Sequence, residues 1–182
     1  LLLNDSVRTI VVTRKLTANE QERLRQHRLS GAQSLIATDA FALIVNKNNP
    51  DTLIRVDEIR KIVSGQITHW NQLEKGSKKS KIHLVFDDSR SSTVRYMRDS
   101  LCGGKPLKGN LFAQGSNEAV IQAVKDNPDA IGVVGTDWLR GDNATVLPNF
   151  DHLDIKVMLV TASKEQYPQY YRPYQYNIAM DY

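Results

Sequence analysis

Cysteine is almost absent: Cys102 is the single thiol among 182 residues. One thiol cannot close an internal disulfide, so this stretch needs no oxidising compartment, though it excludes none. No His stands near it in sequence to activate it, and it reads as a small buried residue. Long apolar runs are missing as well. Nothing approaches the length that crosses a bilayer. The opening LLLNDSVRT has neither a basic n-region nor a cleavage-site pattern, so it is not a signal peptide. Both ends read as cut from a longer chain. A strong charge of one sign is also lacking. Lys plus Arg number 24 against 20 Asp plus Glu, a formal net charge of +4. That balance favours an anionic partner only weakly. The one basic cluster, KGSKKSK at Lys75–Lys81, reads as a solvated loop rather than a nucleic-acid patch.

Signatures of bond chemistry are equally scarce. The histidines, His27, His69, His83 and His152, show no ligand spacing with a cysteine or carboxylate, so no zinc site is visible. There is no Gly-x-Ser-x-Gly elbow and no Gly-x-x-x-x-Gly-Lys phosphate loop. His83 has Ser91 downstream, but one His and one Ser do not fill the three roles of a hydrolytic triad.

What is present is an alternation of short β-branched runs with amphipathic helical patterns. TIVV (Thr9–Val12) reads as a strand, and Thr17 with Glu20 has capping-box spacing, starting a helix at about Thr17. Ser34–Lys47 reads as strand-like over most of its length, interrupted by Asp39. Asn48–Asp51 is a turn. VDEIRKIVSG is a short helix with Ile59, Ile62 and Val63 on one face and Gly65 at its left-handed end. KIHLVF is a strand and STVRYMRDSLCGG a helix ended by Gly103-Gly104. Ser116 then caps another helix, Asn127-Pro128 stops it, and Ile131–Val134 and Ile155–Thr161 are strands. The tyrosine-rich stretch from Gln166 to Tyr176 reads as irregular surface. Strands alternating with single helices define an α/β architecture with a largely parallel sheet.

In such sheets ligands sit beyond the carboxyl ends of strands, against helix N-termini. Three turns therefore stand out: Thr13-Arg14, Ser91-Ser92-Thr93 and Ser116-Asn117. A helix start offers unpaired N–H groups and partial positive charge, which suit an oxyanion, and hydroxyls add donors. The plainer role for Ser91 or Ser116 is a helix cap. Arg14 could meet an anion bidentately or stand on the surface. Asp39, inside an apolar run, needs donors or a proton; it serves either a ligand hydrogen or a backbone turn.

The stretch Ile36–Leu73 resembles the middle of the phosphate-binding solute receptors of ABC transporters, which are type 2 periplasmic-binding proteins. The residues that carry the likeness are Asp39, Val45-Asn46, Asn49-Pro50, Ser64-Gly65, Ile67 and Trp70. Gly115–Gly135 is similar to a second block of that family, a Ser-Asn helix start followed by an Ala-Ile-Gly strand. The resemblance implies two lobes with mixed, largely parallel sheets flanked by helices, one lobe incomplete. Residues 47–154 would form the second lobe. Residues 1–46 and 155–182 would supply parts of the first lobe with the hinge strands.

The same resemblance implies a binding protein and not an enzyme. It would capture inorganic phosphate or a similar small oxyanion, without a cofactor or metal, for a membrane permease and its ATPase. The setting would be the periplasm or cell envelope, with a lipid anchor N-terminal to this stretch as one arrangement. The site residues carried over are Thr13, Arg14, Asp39, Ser91, Ser92, Thr93, Arg95, Ser116 and Asn117. Three positions depart from the family. Ser92 stands where the family has glycine. Asp87 stands where an arginine is frequent. Thr13-Arg14 replaces a Ser-Asp pair whose carboxylate meets the proton of phosphate. These departures keep a second reading open: an envelope interaction or sensing domain on the same fold that has lost or changed its anion.

Overall fold

β-Branched runs become strands where they find a neighbour to bond, and remain irregular where they do not. The computed structural model describes residues 2–4, 6–12, 14–37, 40–139 and 153–172. Two compact units divide the chain, Leu1–Thr38 and Asp39–Tyr182.

The first unit contains helix α1, Ala18–Gln26. Its capping box is the expected one: the Glu20 N–H donates to Thr17 Oγ1 at 3.2 Å, and the Thr17 N–H donates to Glu20 Oε2 at 2.8 Å. Leu24 turns inward, and Gly31 lies so close that an added Cβ would stand 2.9 Å from a Leu24 methyl. The expected strand at Thr9–Val12 does not form, and Val11 is 77% exposed. A strand needs partners for its N–H and C=O groups, and the described residues of this unit include no other strand.

The second unit is built on a five-stranded mixed sheet. Its strands are β1 (Phe41–Asn46), β3 (His83–Phe86), β4 (Leu111–Ala113), β5 (Ala130–Gly135) and β6 (Ile155–Val157). They lie in the order β4-β3-β5-β1-β6. β4, β3 and β5 run parallel, and β1 runs against both of its neighbours, β5 and β6. A separate pair joins β2 (Leu53–Arg55) in parallel to β7 (Leu159–Thr161).

Side chains of a strand alternate between faces, and here both faces are covered. Ala42, Ile44 and Val134 pack with Val120, Ile121 and Val124 of α4 (Asn117–Asp126). Leu43, Val45 and Val133 pack on the other side with Ile59, Ile62 and Val63 of α2 (Val56–Val63), and with Trp70 and Met97. Helices on both faces of one sheet give the expected α/β class, and the mixed sheet agrees with it.

Several motif residues are structural. Asn46, at the end of β1, donates from Nδ2 to the carbonyls of Val124 and Lys125 at 3.1 and 2.7 Å, closing the carboxyl end of α4. Asn49 Oδ1 accepts the Asp51 N–H at 2.9 Å, and the Asp51 carboxylate takes the Ser77 N–H and hydroxyl. Gly65 has φ +77°, and a Cβ there would also meet the Lys108 carbonyl oxygen at 2.9 Å. Trp70 is fully buried and donates from Nε1 to the Asp129 carbonyl at 3.3 Å.

Boundaries move at three places. The Ser34–Lys47 run is a strand only over Phe41–Asn46; Leu35 and Ile36 are exposed and unpaired in any ladder. The helix after Ser91 is α3, Ser92–Tyr96, which widens into a π-turn at Met97–Leu101 before Gly103 and Gly104 close it with positive φ. The Ile155–Thr161 run splits at Met158, whose N–H donates to the Leu43 carbonyl at 2.8 Å; β6 joins the large sheet and β7 joins β2. β2 and β4, three residues each, are too short to show a period in the sequence. Tyr171 bridges to Val160, so the tyrosine-rich stretch is tied to β7 there. Residues 173–176 of that stretch lie outside the described residues.

Candidate functional site

β3 and β4 are parallel neighbours, with Leu84 opposite Leu111 and Phe86 opposite Ala113. Their carboxyl ends therefore stand side by side, and each leads into a helix. Two backbone bonds extend the ladder past the strands: Gln114 N–H to the Phe86 carbonyl at 2.8 Å, and Gly115 N–H to the Asp87 carbonyl at 2.6 Å. Gly115, with φ +93°, makes the turn into α4.

Both helix starts are capped by serine. The Val94 N–H donates to Ser91 Oγ and the Ala119 N–H donates to Ser116 Oγ, each at 3.2 Å. The cap consumes one donor per helix. The first N–H groups of a helix have no partner within it, which leaves those of Ser92 and Thr93 on α3, and of Asn117 and Glu118 on α4, for solvent or a ligand. Ser92 is exposed, while Thr93 and Asn117 are half-buried. Arg95 lies one turn further along α3. Its charge helps to lower the pKa of Asp99, after the larger effect of the Arg98 hydrogen bond.

Five of the expected residues, Ser91, Ser92, Thr93, Ser116 and Asn117, thus belong to two helix starts at one end of the sheet, and Arg95 lies in the last turn of α3. Thr13 and Asp39 lie outside the described residues. Arg14 belongs to the first unit, where its guanidinium grips Glu20 with two bonds of 2.7 Å. Those hydrogen bonds raise the Arg14 pKa and hold the Glu20 carboxyl well below the usual carboxylate range.

Asp87 is the group that sequence patterns do not assign to the site. It follows β3 directly, and its Oδ1 is buried with no hydrogen-bond partner. The only signal for it was its place four residues ahead of Ser91. Asp88 turns outward, accepts the Arg90 N–H at 2.6 Å and so shapes the turn before α3.

The second unit also contains a cavity of about 590 Å³. Its lining is mostly apolar, with Phe41, Leu43, Leu101 and Met158, and Phe41 packs against Tyr96 at a ring separation of 5.4 Å. Among the described residues no cluster of His, Cys, Asp and Glu could hold a metal ion. No helix among them is long and apolar enough to cross a membrane.

Residues 1–181 match the family described as the PBP superfamily domain, and the chain belongs to that superfamily. A phosphate-binding protein PstS from Bacillus subtilis is 32% identical over 113 residues, covering 62% of this chain and 36% of the relative. The crystal structure of an ABC-type phosphate transport receptor from Vibrio cholerae superposes with a TM-score of 0.56 at 25% identity, covering 83% of this chain and 55% of that one. PstS from Borrelia burgdorferi superposes with a TM-score of 0.59 at 24% identity, covering 84% and 57%. The chain therefore spans between 36% and 57% of the length of these three proteins.

Proposed function

We propose that this chain is the binding part of an envelope or periplasmic solute receptor that captures inorganic phosphate for an ABC importer. The observation that carries the reading is the pair of serine-capped helix starts at the adjoining carboxyl ends of β3 and β4. Backbone N–H groups and hydroxyls stand at both helix starts, an arrangement that suits a small oxyanion. The names of the relatives support phosphate as that anion. The donors are Ser91, Ser92, Thr93, Ser116 and Asn117, with Arg95 adding charge. The family resemblance adds Thr13, Arg14 and Asp39 as further candidates.

Residues 47–154 form one lobe in this reading. The rest belongs to the other, and β1 and β6 are the connecting strands. Binding draws the lobes together and makes or breaks no bond, so the protein is a receptor and not an enzyme. Its partners are a permease and its ATPase.

A second reading, an interaction or sensing domain without the anion, is favoured by one observation. Arg14 is committed to Glu20 rather than left for a ligand. Calorimetric titration of the full-length protein that contains this chain, with phosphate and, separately, sulfate near pH 7, decides between them. Saturable one-to-one phosphate binding in the micromolar range or tighter, about −8 kcal/mol or better, is the expected result. Silence toward both anions refutes the receptor reading and leaves the interaction domain.

A further inference from the structure

A bare inorganic anion leaves the cavity of about 590 Å³ in the second unit without a use. That volume falls in the range of about 300–1,000 Å³ typical of pockets that enclose small organic molecules. The wall has the composition of such pockets as well, mostly apolar with a few polar groups. Leu43 and Met158 are buried in it, and Thr161 and Ser163 add hydroxyls.

Two features put this cavity beside the start of α3. Tyr96 lines it and stands four residues after Ser92 in the same helix. At 1.5 Å per residue, the wall begins about 6 Å along α3 from the free N–H groups. Phe41 lines it from the start of β1. Phe41 pairs with Gly135, the last residue of β5, and β5 runs parallel to β3. This end of β1 is therefore the end at which β3 leads into α3. Tyr96 is half exposed, and its ring packs on Phe41 at 5.4 Å.

We infer that the receptor takes phosphate monoesters that carry an apolar organic group: the phosphate lies on the helix-start N–H groups and the organic group lies in the cavity. This rests on the oxyanion reading above. A monoester keeps three unsubstituted oxygens, which helix N–H groups bind as they bind inorganic phosphate. The fourth oxygen carries carbon, which must lead away from the donors. An apolar space one turn along α3 receives it, and affinity rises with the apolar area taken out of water. A polar ester of similar size gains little from that wall.

The test is calorimetry of the full-length protein that contains this chain with inorganic phosphate, phenyl phosphate and glycerol phosphate. The native protein is compared with Ala162→Trp and Gln169→Trp. Both positions are exposed and line the cavity, so tryptophan there fills the space without displacing the core. The native protein should bind phenyl phosphate at least about tenfold more tightly than glycerol phosphate. Either variant should remove most of that advantage and leave the affinity for inorganic phosphate unchanged. Phenyl phosphate bound with silence toward inorganic phosphate also supports the inference, and replaces the ligand of the receptor reading. If inorganic phosphate binds and the phenyl ester has no advantage, or both variants keep it, the inference falls and the receptor reading stands. If none of the three binds, both fall.

Discussion

Gly132 sits in the middle of β5, where any side chain would enter the layer between the sheet and α4. A Cβ there would stand 2.7 Å from Val124 Cγ2, 2.8 Å from Ile44 Cγ1 and 2.9 Å from Val120 Cγ1. Carbon atoms in contact prefer about 3.5–4.0 Å. All three neighbours are 0% exposed, so none can swing into solvent. Gly132 is not among the glycines with positive φ, so backbone strain does not enter. Gly132→Ala therefore adds one methyl to a filled space, which costs about 1–3 kcal/mol. Against this, alanine restricts the unfolded chain and returns about 0.4–1 kcal/mol. At mid-range, about 2 kcal/mol lost against about 0.7 returned, the balance is a loss of about 1.3 kcal/mol. With an m-value of about 2 kcal/mol/M, the urea midpoint should fall by about 0.5–1 M. Trp70, buried on the opposite face of the sheet, gives a fluorescence signal for the transition. Gly132→Val should lose more than Gly132→Ala. An alanine variant as stable as the native protein would refute the reasoning, because it would mean that α4 yields freely.

Two further outcomes test other joints of the fold. Asn46→Ala leaves the Val124 and Lys125 carbonyls without donors and should cost about 1–3 kcal/mol in urea unfolding. Asn46→Asp should cost more at pH 7, since it adds negative charge at the negative end of α4. The gap between the two variants should close below about pH 4 as the new carboxyl takes up a proton. Asp129 is the pH-dependent case. Burial opposes its charge, but hydrogen bonds from Lys78 and Ser80 outweigh burial and lower its pKa. A lowered folded pKa stabilises the protein above the unfolded value of about 3.9, and that stability is lost as pH falls through the folded value. The native protein should thus lose stability more steeply below about pH 4 than Asp129→Asn, measured by melting temperature across an acid series.

The sequence was most legible where one residue does one job by a local rule. Thr17 and Glu20 sit three apart and form the box that their spacing implies. Ser91 and Ser116 are caps, and Gly65 takes the left-handed position beyond α2. Period and burial agree for Ile59, Ile62 and Val63. Legibility failed where the outcome depends on a distant partner. Thr9–Val12 has the composition of a strand, yet the first unit offers it no ladder. The Ile155–Thr161 run splits because Met158 bonds Leu43 between two different sheets, a fact held in no local pattern. Of the candidate site, the helix starts were readable from capping. The engagement of Arg14 by Glu20 was not, because a pair six residues apart is brought together by the course of the loop before α1 and not by helical spacing. The bare oxygen of Asp87 could not be read at all, since an unmet hydrogen bond is a property of three-dimensional packing.

The antiparallel pairing of β1 with β6 has a consequence for chain engineering. Ile44 lies opposite Val157 and Asn46 opposite Ile155, so the chain enters and leaves this sheet on adjacent strands. Everything between them behaves as a cassette whose two ends are already stapled. Joining such ends requires little extra loop closure. Lys79 itself is exposed and offers a place to open new termini without cutting a strand. A circular permutant opened there would carry the β3 and β4 ends, with both helix starts, in one continuous block, ready to be grafted between the strands of another host.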